Sequence, residues 1–286
     1  MPSIAVLLSC YNRKHATLRC LRDLASAALP DATIIDVYLV DDASSDGTGD
    51  AVRKEFPYVH LMKGNGHLYW GGGMRLAFSE AMKAGHDFFL WLNDDVELFS
   101  NAIVNLTETY QCVLMREGRP VIVVGATCDP DTGLMTYGGR QRRSWHPLRF
   151  EKVEPNEREP VVCETMNGNA VLIPAAVAEK IGNMDCRFTQ HMGDFDYGLR
   201  ARKVGFKTWT CPGFVGWCRP NTRSGAWKNS AHSLAQRVRL VNTPLGLPFR
   251  EWIVFAYRHG GVLGVIAGLA GYREMIFPKR QARGAN

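Results

Sequence analysis

The sequence predicts an α/β protein with a mostly parallel central sheet flanked by helices and a helical extension at its C-terminal end. Three observations carry that prediction. Over the first ~130 residues, short unbroken apolar runs alternate with stretches of helical periodicity. Several of those runs end abruptly in polar or acidic clusters. The last part of the chain changes character, becoming basic, aromatic and glycine-rich.

The elements follow in order. Ile4 to Leu8 is a continuous apolar run, typical of a central parallel strand. Asn12 and Arg13 break it, and Leu18, Leu21, Leu24 and Ala28 then recur at helical spacing, predicting a helix from Ala16 to Ala28. Ile34 to Val40 reads as a second strand, closed by Asp41-Asp42-Ala43-Ser44-Ser45-Asp46-Gly47-Thr48. A helix over 49–55 and a short strand from Val59 to Met62 come next. A helix from Met74 to Ala84, a strand from Phe88 to Leu92, a helix from Ala102 to Met115 and a strand from Val121 to Ala126 complete the series. No long linker or internal repeat interrupts it. Such an order predicts a doubly wound, Rossmann-like sheet that binds its ligand at the carboxyl ends of the strands.

Composition bounds the class. The 286 residues fit one large α/β domain with an appendage, or two small domains. The N-terminus lacks the basic, apolar and small-residue pattern of a signal peptide, so a cytoplasmic location is expected. The eight cysteines show no CxxC and no zinc spacing, and several lie in apolar runs, which predicts reduced, buried thiols. The net charge of +6 is concentrated after Gln236. There Arg237, Arg239, Arg250, Arg258, Arg273, Lys279, Arg280 and Arg283 outweigh Glu251 and Glu274, and the rest of the chain is balanced. A basic tail favours an anionic neighbour. No aromatic-and-basic RNA signature accompanies it, so no nucleic-acid partner is expected.

The chemistry gathers at three strand ends: Ser9-Cys10-Tyr11-Asn12, Asp41-Asp42 and Asn93-Asp94-Asp95. In an open parallel sheet these share one edge. Adjacent carboxylates at the end of the hydrophobic run Leu90-Trp91-Leu92 need neutralising, and a hard divalent cation that also attracts phosphate oxygens would do so. An Asp can accept a base N–H, and an aromatic ring can cover the base. The chain has no GxxxxGK[ST] loop, and Gly71-Gly72-Gly73 lacks dinucleotide-fingerprint spacing. The bland alternative for each acidic pair is a capped turn, and sequence alone leaves it open.

Val6-Leu-Leu-Ser-Cys-Tyr-Asn-Arg13, Leu39-Val-Asp-Asp-Ala-Ser-Ser-Asp-Gly-Thr48 and the Asn93-Asp94-Asp95 variant of a DxD motif together resemble family 2 glycosyltransferases of the GT-A fold. Gly64-Asn65-Gly66 with its Gly-rich helix start, and Met166-Asn-Gly-Asn-Ala-Val-Leu-Ile-Pro174, extend the resemblance, which is closest to the rhamnosyltransferase-like, polysaccharide-building group. The matches run in order from residue 3 to about 218. The resemblance implies a catalytic domain over 1–218, with an acceptor-side loop and a basic, partly apolar helical extension over 219–286. It implies inverting transfer from a nucleoside-diphosphate sugar, UDP-hexose or dTDP-rhamnose, to a hydroxyl of a glycan or lipid-linked acceptor in cell-envelope polysaccharide synthesis. It also implies a divalent cation, Mg2+ or Mn2+.

Roles carried over by the resemblance are these. Asp42 reads the base with Tyr11 packed against it, and Ser9 and Asn12 complete the nucleotide site. Asp95 is the direct metal ligand, and Asn93 or Asp94 faces the ribose or a second metal position. Asp194, at a helix start within Gln190-His-Met-Gly-Asp-Phe-Asp-Tyr197, is the base, with Asp196 supporting Arg200. His232 is a candidate third metal ligand. Trp70, His191, Asp196, Arg223 and Trp227 are candidates for contact with donor sugar or acceptor. A nucleotidyltransferase is the competing enzyme class, but it predicts a Gly-rich, Lys-containing loop where Cys10-Tyr11-Asn12-Arg13-Lys14 stands. A non-catalytic nucleotide-sugar-binding protein is the other alternative. For the tail, peripheral contact with the inner face of the plasma membrane, packing on the domain and a homodimer contact all stay open. Gly260 to Tyr272 is too short to cross a bilayer.

Overall fold

The computed structural model describes residues 2–143, 146–221 and 226–277. They divide into two compact units. The first takes Met1–Gln141, Glu151–Thr189 and Gly193–Pro220, and the second Arg142–Phe150, Gln190–Met192 and Asn221–Asn286. The two short pieces that the second unit takes from within the first stretch carry no sequence signal.

The first unit opens with β1 (Ser3–Cys10), α1 (Lys14–Ser26), β2 (Ile34–Asp41), α2 (Thr48–Glu55), β3 (His60–Lys63), α3 (Tyr69–Ala84) and β4 (Phe88–Leu92). Then follow β5 (Glu97–Leu98), α4 (Ala102–Glu117), β6 (Ile122–Cys128), β7 (Met135–Tyr137), β8 (Gly139–Arg142), β9 (Phe150–Lys152) and β10 (Val161–Cys163), with Arg142 at the end of β8 and Phe150 at the start of β9 assigned to the second unit. The unit closes with β11 (Thr165–Met166), β12 (Ala170–Pro174), α5 (Ala175–Ile181), α6 (Gly193–Lys203) and β13 (Thr208–Trp217). The main sheet runs β10-β13-β6-β12-β4-β1-β2-β3. β4, β1, β2 and β3 are mutually parallel, so the ends of β1, β2 and β4 share one edge.

Period-2 alternation along β1 builds two cores. Ile4, Val6 and Leu8 face one side and pack with Leu21 and Leu24 of α1 and Ile103 and Leu106 of α4. Ala5 and Leu7 face the other, with Met74 and Phe78 of α3 and Tyr197 of α6. Helices on both faces of a largely parallel sheet are the architecture the alternating pattern predicts.

Two features depart from the sequence reading. The strand predicted over Val121–Ala126 is present as β6, but β12 lies between it and β4 and runs antiparallel to both. The helix predicted from Met74 begins five residues earlier, at Tyr69, and carries Gly71-Gly72-Gly73 in its first turns. Close approach explains those glycines. A Cβ on Gly71 would stand 2.6 Å from the Phe188 carbonyl oxygen, and one on Gly73 would stand 2.0 Å from Ser9 Oγ. Glycine's helix penalty is accepted here because no larger residue lets α3 sit against the end of β1.

The second unit contains α7 (Leu234–Val241), α8 (Phe249–Ala270) and α9 (Arg273–Ile276). Ser233 and Gln236 cap α7 reciprocally, through a 3.3 Å bond from Gln236 N–H to Ser233 Oγ and a 2.8 Å bond from Ser233 N–H to Gln236 Oε1. Trp227, Val241 and Tyr272 form the buried centre, flanked by Leu247 and Trp252. α8 is not one rod. Gly261 leaves the helical region with φ 60 and ψ −154, and the chain doubles back. A Cβ on Gly264 would stand 2.5 Å from the Ala256 carbonyl oxygen, and Trp252 Nε1 donates to the Gly268 carbonyl at 2.9 Å. In a straight helix those last two residues would be roughly 24 Å apart. α8 is therefore a tight helical hairpin with glycines on its inner face.

Candidate active site

The acidic end of β2 is turned inward. Asp42 is almost fully buried, and its carboxylate accepts the Gly66 N–H at 2.8 Å, the Leu68 N–H at 2.9 Å and the Tyr69 N–H at 3.1 Å. These bonds fix the loop into α3 and hold Tyr69 at φ 54, a left-handed conformation that a bulky residue rarely adopts unaided. Asp41 accepts the Ser44 N–H at 2.9 Å and lies where a side chain on Gly49 would collide with it. Both carboxylates brace loops at the sheet edge. Beside them, Asn12 at φ 51 ties the end of β1 to the β2 loop, accepting the Ser45 N–H at 2.7 Å and donating its own N–H to Ser44 Oγ at 2.9 Å. Ser9 is buried against α3, and the Tyr11 side chain is 54% exposed at the same edge.

The end of β4 is arranged differently. The sequence predicts a divalent cation to neutralise Asp94 and Asp95, and the structure provides Arg13. Its Nη1 donates to Asp94 Oδ1 at 3.1 Å and to Asp95 Oδ2 at 2.7 Å. Thr17 Oγ1 donates to Asp94 Oδ2 at 3.2 Å. Burial pushes the Asp94 carboxyl above its ordinary range, Arg13 pulls it back, and neighbouring Asp95 raises it again. Asp95 is one-third exposed, and its Oδ1 has the Cys218 thiol 3.7 Å away. Asp94 is thus committed to the interior, and Asp95 is the more accessible carboxylate of the pair.

Trp70 connects this strand end to α6. Its Nε1 donates to Asn93 Oδ1 at 2.7 Å, and its ring covers Gly168, where a Cβ would stand 2.6 Å from the indole. Gly168 N–H donates to Asp194 Oδ2 at 3.0 Å, and Phe195 N–H donates to Asp194 Oδ1 at 2.8 Å. Behind them, Trp70, Trp91 and Tyr197 pack edge-on in series, at centroid distances of 6.3 and 4.9 Å. A fixed indole therefore joins the end of β4 to the half-buried carboxylate at the start of α6. Arg140 adds a positive charge nearby. Burial lowers its pKa, with Asp194 opposing that shift, and its Nε donates to Asn167 Oδ1 at 2.8 Å.

Residues 5–181, more than half of the chain, match the family model for Glycosyl transferase family 2. The chain belongs to glycosyltransferase family 2. It is 26% identical over 211 residues to an N-acetylglucosaminyl-diphospho-decaprenol L-rhamnosyltransferase of Mycobacterium tuberculosis, covering 65% of this chain and 66% of the relative, just under two thirds. It is 23% identical over 239 residues to the galactofuranosyltransferase GlfT2 of the same species, covering 75% of this chain and 37% of that one. Among solved structures, the mannosyltransferase PcManGT from Pyrobaculum calidifontis, in complex with GDP-Man and Mn2+, superposes with a TM-score of 0.52 at 14% identity, over 98% of this chain and 76% of its own. That likeness establishes the GT-A fold.

The other candidate residues of this family 2 chain fall in varied places. Asp196 is fully buried and accepts from Arg200 Nε at 2.8 Å, one helical turn along α6. Trp227 lies in the core of the second unit with 5% exposure, so its ring is packed and presents no sugar platform. His191 and His232 belong to the second unit, His232 in the turn ahead of α7. Arg223 lies outside the described residues. No three His, Cys, Asp or Glu side chains gather into an ion cage among the described residues. The donor set nevertheless fits a hard cation anchored at one point: Asp95 supplies a partly exposed carboxylate, and diphosphate oxygens and water can complete the shell. Sequence reasoning assigns no role to Arg13, Gly168 or Arg140. Arg13 and Gly168 stand inside recognised motifs, which is the signal that could have found them.

Proposed function

We propose that this glycosyltransferase moves a sugar from a nucleoside-diphosphate donor to an acceptor hydroxyl with inversion, and that Asp194 is the base. The observation that carries this reading is the linkage through Trp70, whose indole donates to Asn93 at the end of β4 and covers Gly168, the residue whose N–H donates to Asp194. Inversion needs two groups on opposite faces of the sugar, one for the leaving diphosphate and one for the acceptor proton. Asp95 serves the first and Asp194 the second. The backbone N–H bonds from Gly168 and Phe195 aim the Asp194 carboxylate. A divalent cation, Mg2+ or Mn2+, held by Asp95 would stabilise the charge that develops on the departing diphosphate. Tyr11 and the loop braced by Asp42 form the nucleotide side.

The rhamnosyltransferase relative favours dTDP-rhamnose and a lipid-linked acceptor over UDP-hexose and a free glycan. On that reading the enzyme works in the cytoplasm at the inner face of the plasma membrane, on a cell-envelope polysaccharide. The decisive experiment replaces Asp194 with Asn, which preserves the shape of the side chain and removes the basic oxygen. Transfer measured with a panel of nucleotide sugars should fall roughly 10²–10⁴-fold, with circular dichroism unchanged. Undiminished turnover would remove Asp194 from the role. Product retaining the donor's anomeric configuration would overturn inversion.

A further inference from the structure

The hairpin of α8 hides its glycines and turns its aliphatic side chains outward. Ala256, Gly264 and Gly268 are buried between the arms, while Val262, Leu263, Ile266 and Leu269 are 68, 73, 61 and 47% exposed. Their spacing puts them on one face of the second arm, and no charged residue interrupts the chain from Gly260 to Tyr272. The turn is secured within its own unit. Arg142 Nη1 donates to the His259 carbonyl at 3.0 Å, and Leu148 lies against Gly260. A row of aliphatic side chains held outward on a braced scaffold is costly in water and marks a contact surface.

We propose that this face of the second arm lies in the surface of an anionic lipid bilayer, with Val262, Leu263, Ile266 and Leu269 among the upper acyl chains. Charge selects this occupant. Arg250 and Arg273 are exposed near the two ends of the hairpin, and the sequence beyond it adds Lys279, Arg280 and Arg283. An apolar stripe bounded by arginine and lysine matches the headgroup–acyl boundary of a membrane containing phosphatidylglycerol or a similar lipid. A second copy of the same surface would bring those cations together. The segment does not cross the membrane. Gly261 splits its 22 residues into two arms, about 18 and about 14 Å long, against a hydrocarbon core of about 30 Å. Both arms are packed together, so the hairpin adds its outer face to one leaflet. This surface is defined by the second unit alone, whatever sugar the first unit transfers.

The test is sedimentation of the full chain with vesicles of phosphatidylcholine, with and without phosphatidylglycerol. Binding should require the anionic lipid and weaken as salt rises. The pair Leu263→Asp and Ile266→Asp should reduce partitioning roughly tenfold or more while circular dichroism and melting stay the same, because both side chains point to solvent. Leu263→Trp should give a blue-shifted indole emission on adding anionic vesicles. Failure of the wild-type chain to sediment with either vesicle, or equal sedimentation of the double variant, overturns the proposal. So does a dimer in solution that the double variant converts to monomer, which would assign the face to a second copy.

Discussion

The ends of β2 and β4 carry the same chemical device, a pair of adjacent aspartates, and use it in opposite ways. At β2 the loop into α3 folds back over Asp42 and brings three N–H groups to its carboxylate, so the charge is satisfied by backbone. At β4 the pair meets a guanidinium from another loop, and Asp95 stays partly exposed. A carboxylate's role is therefore set by how many donors the local chain brings to it. Backbone donors make a brace, whereas a partly exposed carboxylate facing one side-chain cation can exchange that partner for another.

The contrast predicts different responses to the same substitution. Asp42→Ala leaves three N–H groups without their acceptor in a buried loop and should lower stability by about 3 kcal/mol, measured by urea unfolding. Asp42→Asn keeps one acceptor oxygen and should fall between the alanine variant and the wild type. If Asp42→Ala unfolds at the wild-type midpoint, the brace is not what Asp42 provides.

Asp95→Ala should cost no more than about 1 kcal/mol, because both partners of its ion pair reach solvent. Its effect should appear instead in calorimetry of nucleoside diphosphate binding with and without EDTA. In the wild type, chelation should weaken binding, and in Asp95→Ala that dependence should vanish. An undiminished chelator effect in the variant would move the cation to other ligands.

The sequence was legible where a local rule sufficed. Alternating apolar runs located β1, β2, β4 and β6, and the strand-end motifs located the acidic edge. It was not legible where the outcome depended on distant approach. The sequence places the helix start at Met74, after the three glycines, yet Gly71 and Gly73 lie inside α3 and are glycine because Phe188 and Ser9 stand too near for any side chain. The five residues of β12 are too few for periodicity to fix their direction, so their antiparallel insertion between β4 and β6 is invisible in one dimension. At the site, residue types announced carboxylate chemistry. That Arg13 would face Asp94 and Asp95, or that Trp70 would span Asn93 and Gly168, depends on contacts between residues far apart in sequence.

The same rule, that surroundings decide availability, extends to the thiols and gives the smallest effect. Burial pushes Cys163 and Cys211 up to about 12 and raises Cys10, Cys20 and Cys218 as well, whereas Cys112 and Cys186 are exposed. A thiol must ionise to react, so near neutral pH a raised value and a closed surface act in the same direction. Maleimide should therefore label Cys112 and Cys186 rapidly in the native protein, and mass spectrometry should find the remaining six modified only after denaturation. Cys218 is the informative exception to watch, because it touches Asp95 and lies at the edge of the proposed diphosphate site. Fast labelling of Cys218 in the native protein would show that the end of β4 opens to solvent more widely than its packing implies, and would weaken the distinction between an enclosed Asp94 and an available Asp95.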